Sequence, residues 1–179
     1  MRKKHREKII DITTEVLETL FRIGGATSHA FFDQKSFYNE INAQGYDRKI
    51  ISNKVRRLIN SGHIEAIEES GGSSIRLTRK GNIKRVEKSN NQTADGKWRF
   101  ISFDIPEKRR SERLNLRRSL RRVGYKPLQK SLWVCPFNKA DEVGLIISEL
   151  GLADFTAYFK VVKTDIEEHL KELFDSELE

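Results

Sequence analysis

Apolar residues recur at helical spacing three times within the first 60 residues of the chain. The first series follows a basic N-terminal segment, the second predicts a helix over 36–43, and the third predicts a helix from Asp47, a good N-cap, to Asn60. Two short segments of alternating polarity, 63–68 and 74–78, then flank a Gly-Gly pair, which is typical of a hairpin. Three helices followed by a hairpin predict a winged helix-turn-helix.

The second half of the chain shows a different alternation of strand and helix patterns. Its predicted elements are a strand at 98–103, a helix at 108–123, a strand pair at 125–128 and 131–137, a helix at 139–150 and a strand within 153–162. Gly124 and Gly151 follow the two helices, where glycine commonly ends a helix. This βαββαβ order predicts a ferredoxin-like domain, and the fold class is α+β.

A polar stretch with the sequence SNNQTADGK separates the two patterns. It contains no apolar side chain larger than that of Ala94, which is typical of a linker. We therefore predict a winged helix-turn-helix domain at 1–88, a linker at 89–97, a ferredoxin-like dimerisation domain at 98–165 and an acidic helical tail at 166–179.

Composition narrows the function classes. The chain has 179 residues, and its 34 Lys plus Arg against 26 Asp plus Glu give a formal net charge of +8, which favours polyanions as partners. No apolar run approaches the ~18 residues needed to cross a bilayer, and no secretory signal is present, so we expect a cytoplasmic protein without a membrane partner. Motifs of nucleotide-binding loops, zinc proteases and serine hydrolases are missing. The lone Cys135 is expected to fill a core.

The basic excess is unevenly distributed along the chain. Residues 1–97 carry 19 basic and 12 acidic side chains, a balance of +7. In the second half, 99–130 carries 11 basic and 3 acidic side chains whereas 131–179 carries 4 and 11, so a segment of +8 precedes one of −7. We expect the first half to meet the polyanion and the second half to satisfy its own charges through dimerisation.

The helix that begins after Asp47 carries side chains that suit DNA recognition. If its apolar residues are buried, its outer face presents Arg48, Lys49, Ser52, Asn53 and Arg56. Arg and Asn side chains hydrogen-bond guanine and adenine edges in the major groove, and Lys attracts phosphates. Just past the hairpin, a minor groove or flanking phosphate lies within reach of Arg76, Arg79 and Lys80. Double-stranded DNA is the predicted partner, and a surface for protein contacts is the alternative.

Several motifs of the second half resemble those of a known family. FDIPE at 103–107, the arginine-rich helix and QKSLWVCP at 129–136 resemble the central domain of the phenylacetate-catabolon repressor family, PaaX. That domain is similar to the ferredoxin-like subunit of CRISPR adaptation, the Cas-two endonuclease family. The resemblance extends from about residue 10 to about residue 165 and implies an N-terminal winged helix and a repressor. Such repressors usually continue into a further C-terminal domain, which we expect to be absent because the sequence ends at Glu179, and the effector is unknown.

The alternative interpretation, that the protein is an enzyme, depends on Asp104. In the CRISPR family, an Asp at the end of the first strand lies near its mate in the dimer, and the pair is proposed to hold a divalent metal. Asp104 occupies the matching position, so the resemblance implies a catalytic, Mg²⁺-binding residue of a phosphodiesterase. The alternative from the local pattern is that Asp104, which precedes Pro106, accepts backbone N–H bonds in a strand-to-helix turn.

Together these patterns predict a homodimeric, sequence-specific DNA-binding regulator that represses transcription by occupying a promoter and requires no cofactor. The alternative is a CRISPR adaptation protein or Mg²⁺-dependent nuclease with an added winged helix. Two roles remain open for the arginines of the 108–123 helix. They either bind nucleic-acid phosphates or pair with the acidic tail of the same chain or of its mate.

Overall fold

The structure is a computed structural model that describes residues 11–24, 32–69, 72–88 and 94–178. Contacts along the chain divide it into two units, Met1–Arg85 and Val86–Glu179. Residues 89–93 of the predicted linker lie outside the described residues, as does the basic segment at the N-terminus. In the described ranges, no helix is both long and apolar enough to cross a bilayer.

The first unit consists of helices and a small antiparallel sheet. Its elements, in chain order, are α1 (Ile12–Gly24), β1 (Phe32–Asp33), α2 (Gln34–Ala43), α3 (Arg48–Asn60), β2 (Ile64–Glu69), β3 (Gly72–Leu77) and α4 (Arg79–Glu87), whose last two residues are counted with the second unit. The sheet has the order β1-β3-β2, and both neighbouring pairs are antiparallel. The three helices and the hairpin expected from the sequence are present.

Two aspartates determine where α2 and α3 begin. The Asp33 carboxylate accepts a hydrogen bond at 2.9 Å from the backbone N–H three residues along. The Asp47 carboxylate accepts from the N–H groups of Lys49 and Ile50 at 2.8 and 3.0 Å. Between the helices, Gly45 adopts a φ of 84°, a left-handed conformation that suits glycine. The caps and this turn therefore separate α2 from α3.

The apolar sides of α1, α2 and α3 and one face of the sheet share a hydrophobic core. Its completely buried side chains are Val16, Leu17, Phe37, Ile41, Ile51, Ile75 and Leu77. Each large aliphatic side chain removed from water contributes about 1.5–3 kcal/mol. On α3 the buried residues are Ile51, Val55 and Leu58, at spacings of four and three. The opposite side of α3 is therefore left to solvent.

Two elements of the first unit have no counterpart in the prediction. β1 contains only two residues, too few for a periodic pattern, and exists because it pairs with β3. α4 follows β3 directly, and the Thr78 hydroxyl accepts its Gly81 N–H at 3.1 Å. Ile83 and Val86 are its only large apolar residues, so the sequence of α4 shows little amphipathic periodicity.

In the second unit, the described residues form a four-stranded sheet and four α-helices. Its elements are β4 (Ala94–Phe103), a 3₁₀ turn (Glu107–Arg109), α5 (Arg110–Arg122), β5 (Lys126–Pro127), β6 (Leu132–Phe137), α6 (Ala140–Leu150), a second 3₁₀ turn (Ala153–Phe155), β7 (Thr156–Val161), α7 (Glu167–Leu173) and α8 (Asp175–Leu178). The sheet order is β5-β6-β4-β7, and all neighbours are antiparallel. The order from β4 to β7 agrees with the predicted βαββαβ pattern, and the mixture of helix and sheet makes the chain α+β.

β4 begins four residues earlier than the sequence pattern indicates. Residues 94–97, assigned above to the linker, are strand, and Ala94 pairs with Phe137 of β6. Arg99 explains this extension, because its side chain is 1% exposed and is bound by Asp95. The two Arg99–Asp95 hydrogen bonds measure 2.5 and 2.7 Å, and the Lys97 carbonyl accepts a third at 2.7 Å.

The two faces of the four-stranded sheet are covered differently. Alternation places Phe103 and Trp133 on one face, where the guanidinium groups of Arg117 and Arg121 on α5 lie 5.8 and 5.2 Å from their ring centroids. Cys135 is completely buried, as expected of a core residue, and burial raises the pKa of its thiol to about 11. The core around α5 and α6 therefore lies on this face.

The opposite face packs against the C-terminal helices. Leu170 and Phe174, 0% and 1% exposed, form a hydrophobic cluster with Trp98, Phe100 and Val134. The Trp98 indole N–H donates to the Glu167 carboxylate at 2.9 Å, and the Lys126 ammonium lies 3.0 Å from the Glu177 carboxylate. The segment expected to be an acidic tail therefore supplies part of the core of this unit.

Candidate nucleic-acid interface

The outer side of α3 carries the residues selected from the sequence. Arg48, Lys49, Asn53 and Arg56 are exposed, whereas Ser52 is half-buried. Their placement follows from the burial of the other side of the helix in the first core. The exposed set thus presents three cationic side chains and one amide along 13 residues of helix.

Most of the exposed α3 side chains have no partner among the described residues. Within the described ranges, the side chains of Lys49, Asn53 and Arg56 make no hydrogen bond or ion pair. The Arg48 guanidinium lies 5.6 Å from the Tyr38 ring centroid and makes a cation–π contact with it. The donors and acceptors of these side chains can therefore form hydrogen bonds with a ligand.

Two further residues of this surface are absent from the set chosen by sequence. Ile50 is 51% exposed although it is a large apolar residue, and Arg57 is also exposed. Ile50 precedes the buried Ile51, so its exposure can be deduced once the helix register is known. Arg57 lies beside Arg56 and adds a further positive charge to the outer side.

The three cationic residues after the hairpin have different environments. Arg76 is bound to Glu65 of the neighbouring strand, with a nitrogen–oxygen distance of 2.6 Å, so its charge is largely compensated. Lys80 donates to the Ser61 carbonyl at 2.7 Å, which holds its ammonium near the end of α3. Arg79 is exposed. Of the three cations predicted for the wing, Arg76 is thus half-buried and paired with a carboxylate, whereas Arg79 and Lys80 are exposed.

Asp104 lies at the carboxyl end of β4 and lines an open cleft of about 330 Å³. Its backbone N–H donates to the Phe155 carbonyl at 2.9 Å, and its side chain is exposed. The other residues that line this cleft are Phe103, Ile105, Arg113, Arg117, Lys130 and Ser131. The carboxylate has no hydrogen-bond or ion-pair partner within the part of the chain that the structure describes. The expected acceptance of backbone N–H bonds by Asp104 is therefore not observed there.

The residues of this chain around Asp104 do not fit a Mg²⁺ ion. Mg²⁺ requires an octahedron of oxygen ligands, mostly carboxylates, phosphates and water. The Asp104 cleft instead combines one carboxylate with the cations Arg113, Arg117 and Lys130. Over the described ranges, no group of three or more His, Cys, Asp or Glu side chains is placed to hold a metal ion. The predicted metal site would need the Asp104 of a second copy, and it stays a prediction.

The arginines of the 3₁₀ turn and α5, which the sequence assigned to one helix at 108–123, are largely held by their own unit. Arg109 donates to two carbonyls at the end of α6, at 2.7 and 3.1 Å. Arg122 binds the Glu87 carboxylate at 2.9 Å, and Arg121 lies over Trp133. Among described residues, no ion pair joins α5 to α7 or α8. Pairing with the tail of the same chain is thus not observed there.

An apolar surface remains on the sheet face that α7 covers only in part. Phe159 is 48% exposed, and two apolar residues that follow it in the chain, Val162 and Ile166, are 71% and 38% exposed. With Phe100 and Leu132, Phe159 lines a shallow cleft of about 470 Å³. Large apolar residues exposed around a cleft commonly mark an interaction surface.

Comparison with known proteins identifies a relationship for the second unit. Residues 91–173 match the family described as the PaaX protein central Cas2-like domain. The matched segment begins after β3 and α4, and so it excludes α3 and the hairpin. A comparison with curated proteins gave no match. The match covers less than half of the chain and shows that its second unit is similar to this domain of PaaX proteins.

Proposed function

We propose that the chain is a sequence-specific DNA-binding transcriptional repressor that acts as a homodimer. In this proposal the first unit is a winged helix-turn-helix with α3 as recognition helix, and the second is a ferredoxin-like dimerisation module. The observation that carries the proposal is the outer side of α3, where Lys49, Asn53 and Arg56 are exposed and without partners in the described chain.

The dimensions and chemistry of α3 suit the major groove. A helix of 13 residues is about 20 Å long, and the major groove is about 12 Å wide and admits a helix. Arg56 and Asn53 have the donor and acceptor patterns for guanine and adenine edges, and Lys49 suits a phosphate. Ile50 adds an apolar contact of the kind that recognises the thymine methyl group. The set therefore includes groups for direct reading of bases as well as for electrostatic attraction.

The β2–β3 hairpin and the residues after it supply the second set of contacts. The element order α-β-α-α-β-β, with the three-stranded sheet, supports the assignment of this hairpin as the wing. Arg79 and Lys80 follow it at the surface, where phosphates flanking the major groove would be reached. Arg76 contributes less in this proposal because Glu65 already compensates its charge.

A second copy of the chain is the proposed occupant of the apolar surface around Phe159. Among the described strands, β7 pairs with β4 alone and is therefore an edge strand, and its Phe159 is exposed. Sheet edges with exposed apolar residues are normally covered by another element or another copy. A two-fold axis through this surface would relate two copies of α3 and match a palindromic site. Occupation of such a site within a promoter blocks transcription.

Selection of bound duplexes from a random pool tests the DNA-binding proposal. The wild-type protein is expected to enrich a two-fold symmetric motif. The Ile50→Ala variant is expected to enrich the same motif with the preference for thymine lost at one position of each half-site. As the matched control, Lys160→Gln removes a charge from an exposed position of β7 and leaves the motif unchanged. Failure of the wild-type protein to enrich any motif refutes the proposal.

Sedimentation velocity tests the dimer. Phe159→Glu places a charge in the exposed apolar surface without opening a core, because the side chain is 48% exposed. The wild-type protein is expected to sediment as a dimer and the variant as a monomer, with Lys160→Gln again the control. A variant that remains a dimer shows that another surface joins the copies.

A further inference from the structure

We propose that the cleft at the end of β4, the Asp104 cleft, binds a phosphate group. The cleft lies wholly within the second unit and shares no residue with α3, so this proposal does not rest on the proposed function. The chemistry named is that of a tetrahedral oxyanion, carried either by a nucleic-acid backbone or by a small phosphorylated molecule.

The two arginines of the cleft are held in place before any ligand arrives. Arg113 donates to the Ile105 carbonyl at 3.1 Å, and Arg117 donates to the Lys130 carbonyl at 2.5 Å. Each carbonyl accepts from one terminal nitrogen of a guanidinium that has five N–H donors in total. Guanidinium groups that are already fixed lose little side-chain entropy when a ligand binds. Their planar N–H donors match the oxygens of a phosphate.

One cation of the cleft has no partner of its own. The Lys130 ammonium lies at the exposed rim and makes no hydrogen bond or ion pair within the described residues. Its three N–H donors are therefore open to an acceptor supplied by a ligand.

The charge balance of the cleft favours an anion and makes Asp104 an opposing group. Three cations, Arg113, Arg117 and Lys130, line it together with a single carboxylate. Glu107 offsets part of the Arg113 charge through an ion pair at 2.6 Å, but it is not among the lining residues. Because the Asp104 carboxylate would repel a phosphate, its removal should strengthen binding. A metal-bridged phosphate requires the reverse.

Titration of the ¹⁵N-labelled full chain with inorganic phosphate, at constant ionic strength, tests the site. We expect saturable shifts of resonances around residues 104, 117 and 130. Lys130→Gln should weaken binding and Asp104→Asn should strengthen it, each by roughly 3- to 10-fold, which is the effect of one unit charge in a partly solvated cleft. Lys160→Gln is the matched control. Lys160 lies on β7 about four residues from Thr156, which pairs with Phe103 beside the cleft, so its loss should leave the phosphate affinity unchanged.

Two results would overturn the proposal. One is an absence of saturable shifts in the cleft. The other is weaker phosphate binding by Asp104→Asn, which would mean that the carboxylate holds the anion through a cation.

A second titration, with a short DNA duplex of arbitrary sequence, separates the two sources of phosphate. Shifts in the cleft that are reversed by added inorganic phosphate identify the nucleic-acid backbone. Phosphate binding without such shifts identifies a small phosphorylated ligand. Because the cleft shares no residue with α3, an absence of phosphate binding by the wild-type protein together with selection of a DNA motif refutes only the cleft proposal.

Discussion

Gly81 lies in α4 directly against the backbone of His63, where one methyl group tests the packing of the first unit. A Cβ at this position would overlap the His63 carbonyl oxygen and lie 3.1 Å from the Leu77 Cδ2. The carbonyl oxygen is part of the backbone and accepts the Thr78 N–H at 3.1 Å, so it cannot move aside as a flexible side chain would. Gly81→Ala therefore forces α4 away from the residue that precedes β2.

Two effects of opposite sign determine how much Gly81→Ala changes the free energy of unfolding. Alanine is more favourable than glycine inside a helix by about 1 kcal/mol. A methyl group forced into filled space costs typically about 1–3 kcal/mol, and overlap with a backbone atom places Gly81→Ala at the upper end. The free energy of unfolding should therefore fall by about 1–2 kcal/mol. Gly144 in α6 is the matched control because nothing lies within 4 Å of its Cβ position, and Gly144→Ala should raise stability by about 0.5–1 kcal/mol.

Urea unfolding distinguishes the two variants. Trp98 and Trp133 are the two tryptophans of the chain and both lie in the second unit, so tryptophan fluorescence follows that unit. Circular dichroism follows both units. We expect Gly81→Ala to lower the midpoint of the circular-dichroism transition and Gly144→Ala to raise that of the fluorescence transition. Wild-type stability in Gly81→Ala would refute the packing of α4 and, with it, the position of Lys80.

Three further predictions concern other parts of the molecule. Phe174→Ala should lower the free energy of unfolding by about 3–5 kcal/mol in fluorescence-detected urea unfolding, and an unchanged midpoint contradicts a core role for α7 and α8. The Arg99 guanidinium lowers the pKa of Asp95 from 3.8 to about 2, so this contribution to stability is complete above about pH 4 and is lost as the pH falls toward 2. Asp95→Asn should flatten the melting temperature over that range, and an unchanged slope refutes the pairing. Lys49→Gln should reduce the slope of log affinity against log salt by about 0.9 for each phosphate contact, and an unchanged slope excludes that contact.

The elements that the sequence pattern predicts are those with local signals. α3 is an example, because Asp47 caps it and the spacing of Ile51, Val55 and Leu58 records which side is buried. β1 and α4 depend instead on residues distant in sequence. β1 exists through pairing with β3, and α4 is held through the backbone at His63. Neither interaction leaves a periodic pattern in the chain.

The candidate sites follow the same division. The outer side of α3 could be predicted because the apolar spacing shows which side faces the core, and the remaining residues face solvent. The Asp104 cleft could not, since Arg113 and Arg117 come from α5 and Lys130 from the turn before β6. The sequence identifies these cations as an excess of charge between residues 99 and 130, but only folding brings three of them around one carboxylate. These three cations are the basis of the proposed phosphate site, and the metal site implied by the resemblance stays a prediction.

The ratio of affinities for the selected duplex and for a scrambled duplex tests most directly whether α3 reads DNA. The wild-type protein should bind the selected duplex at least about 10³-fold more tightly at physiological salt. Asn53→Ala combined with Arg56→Ala should remove about 2–6 kcal/mol of that discrimination, the cost of two base contacts, while salt-dependent binding to both duplexes persists. Lys160→Gln should keep the full ratio. If the double variant also keeps it, α3 is not the recognition helix, and the account of this protein as a DNA reader through that surface is contradicted.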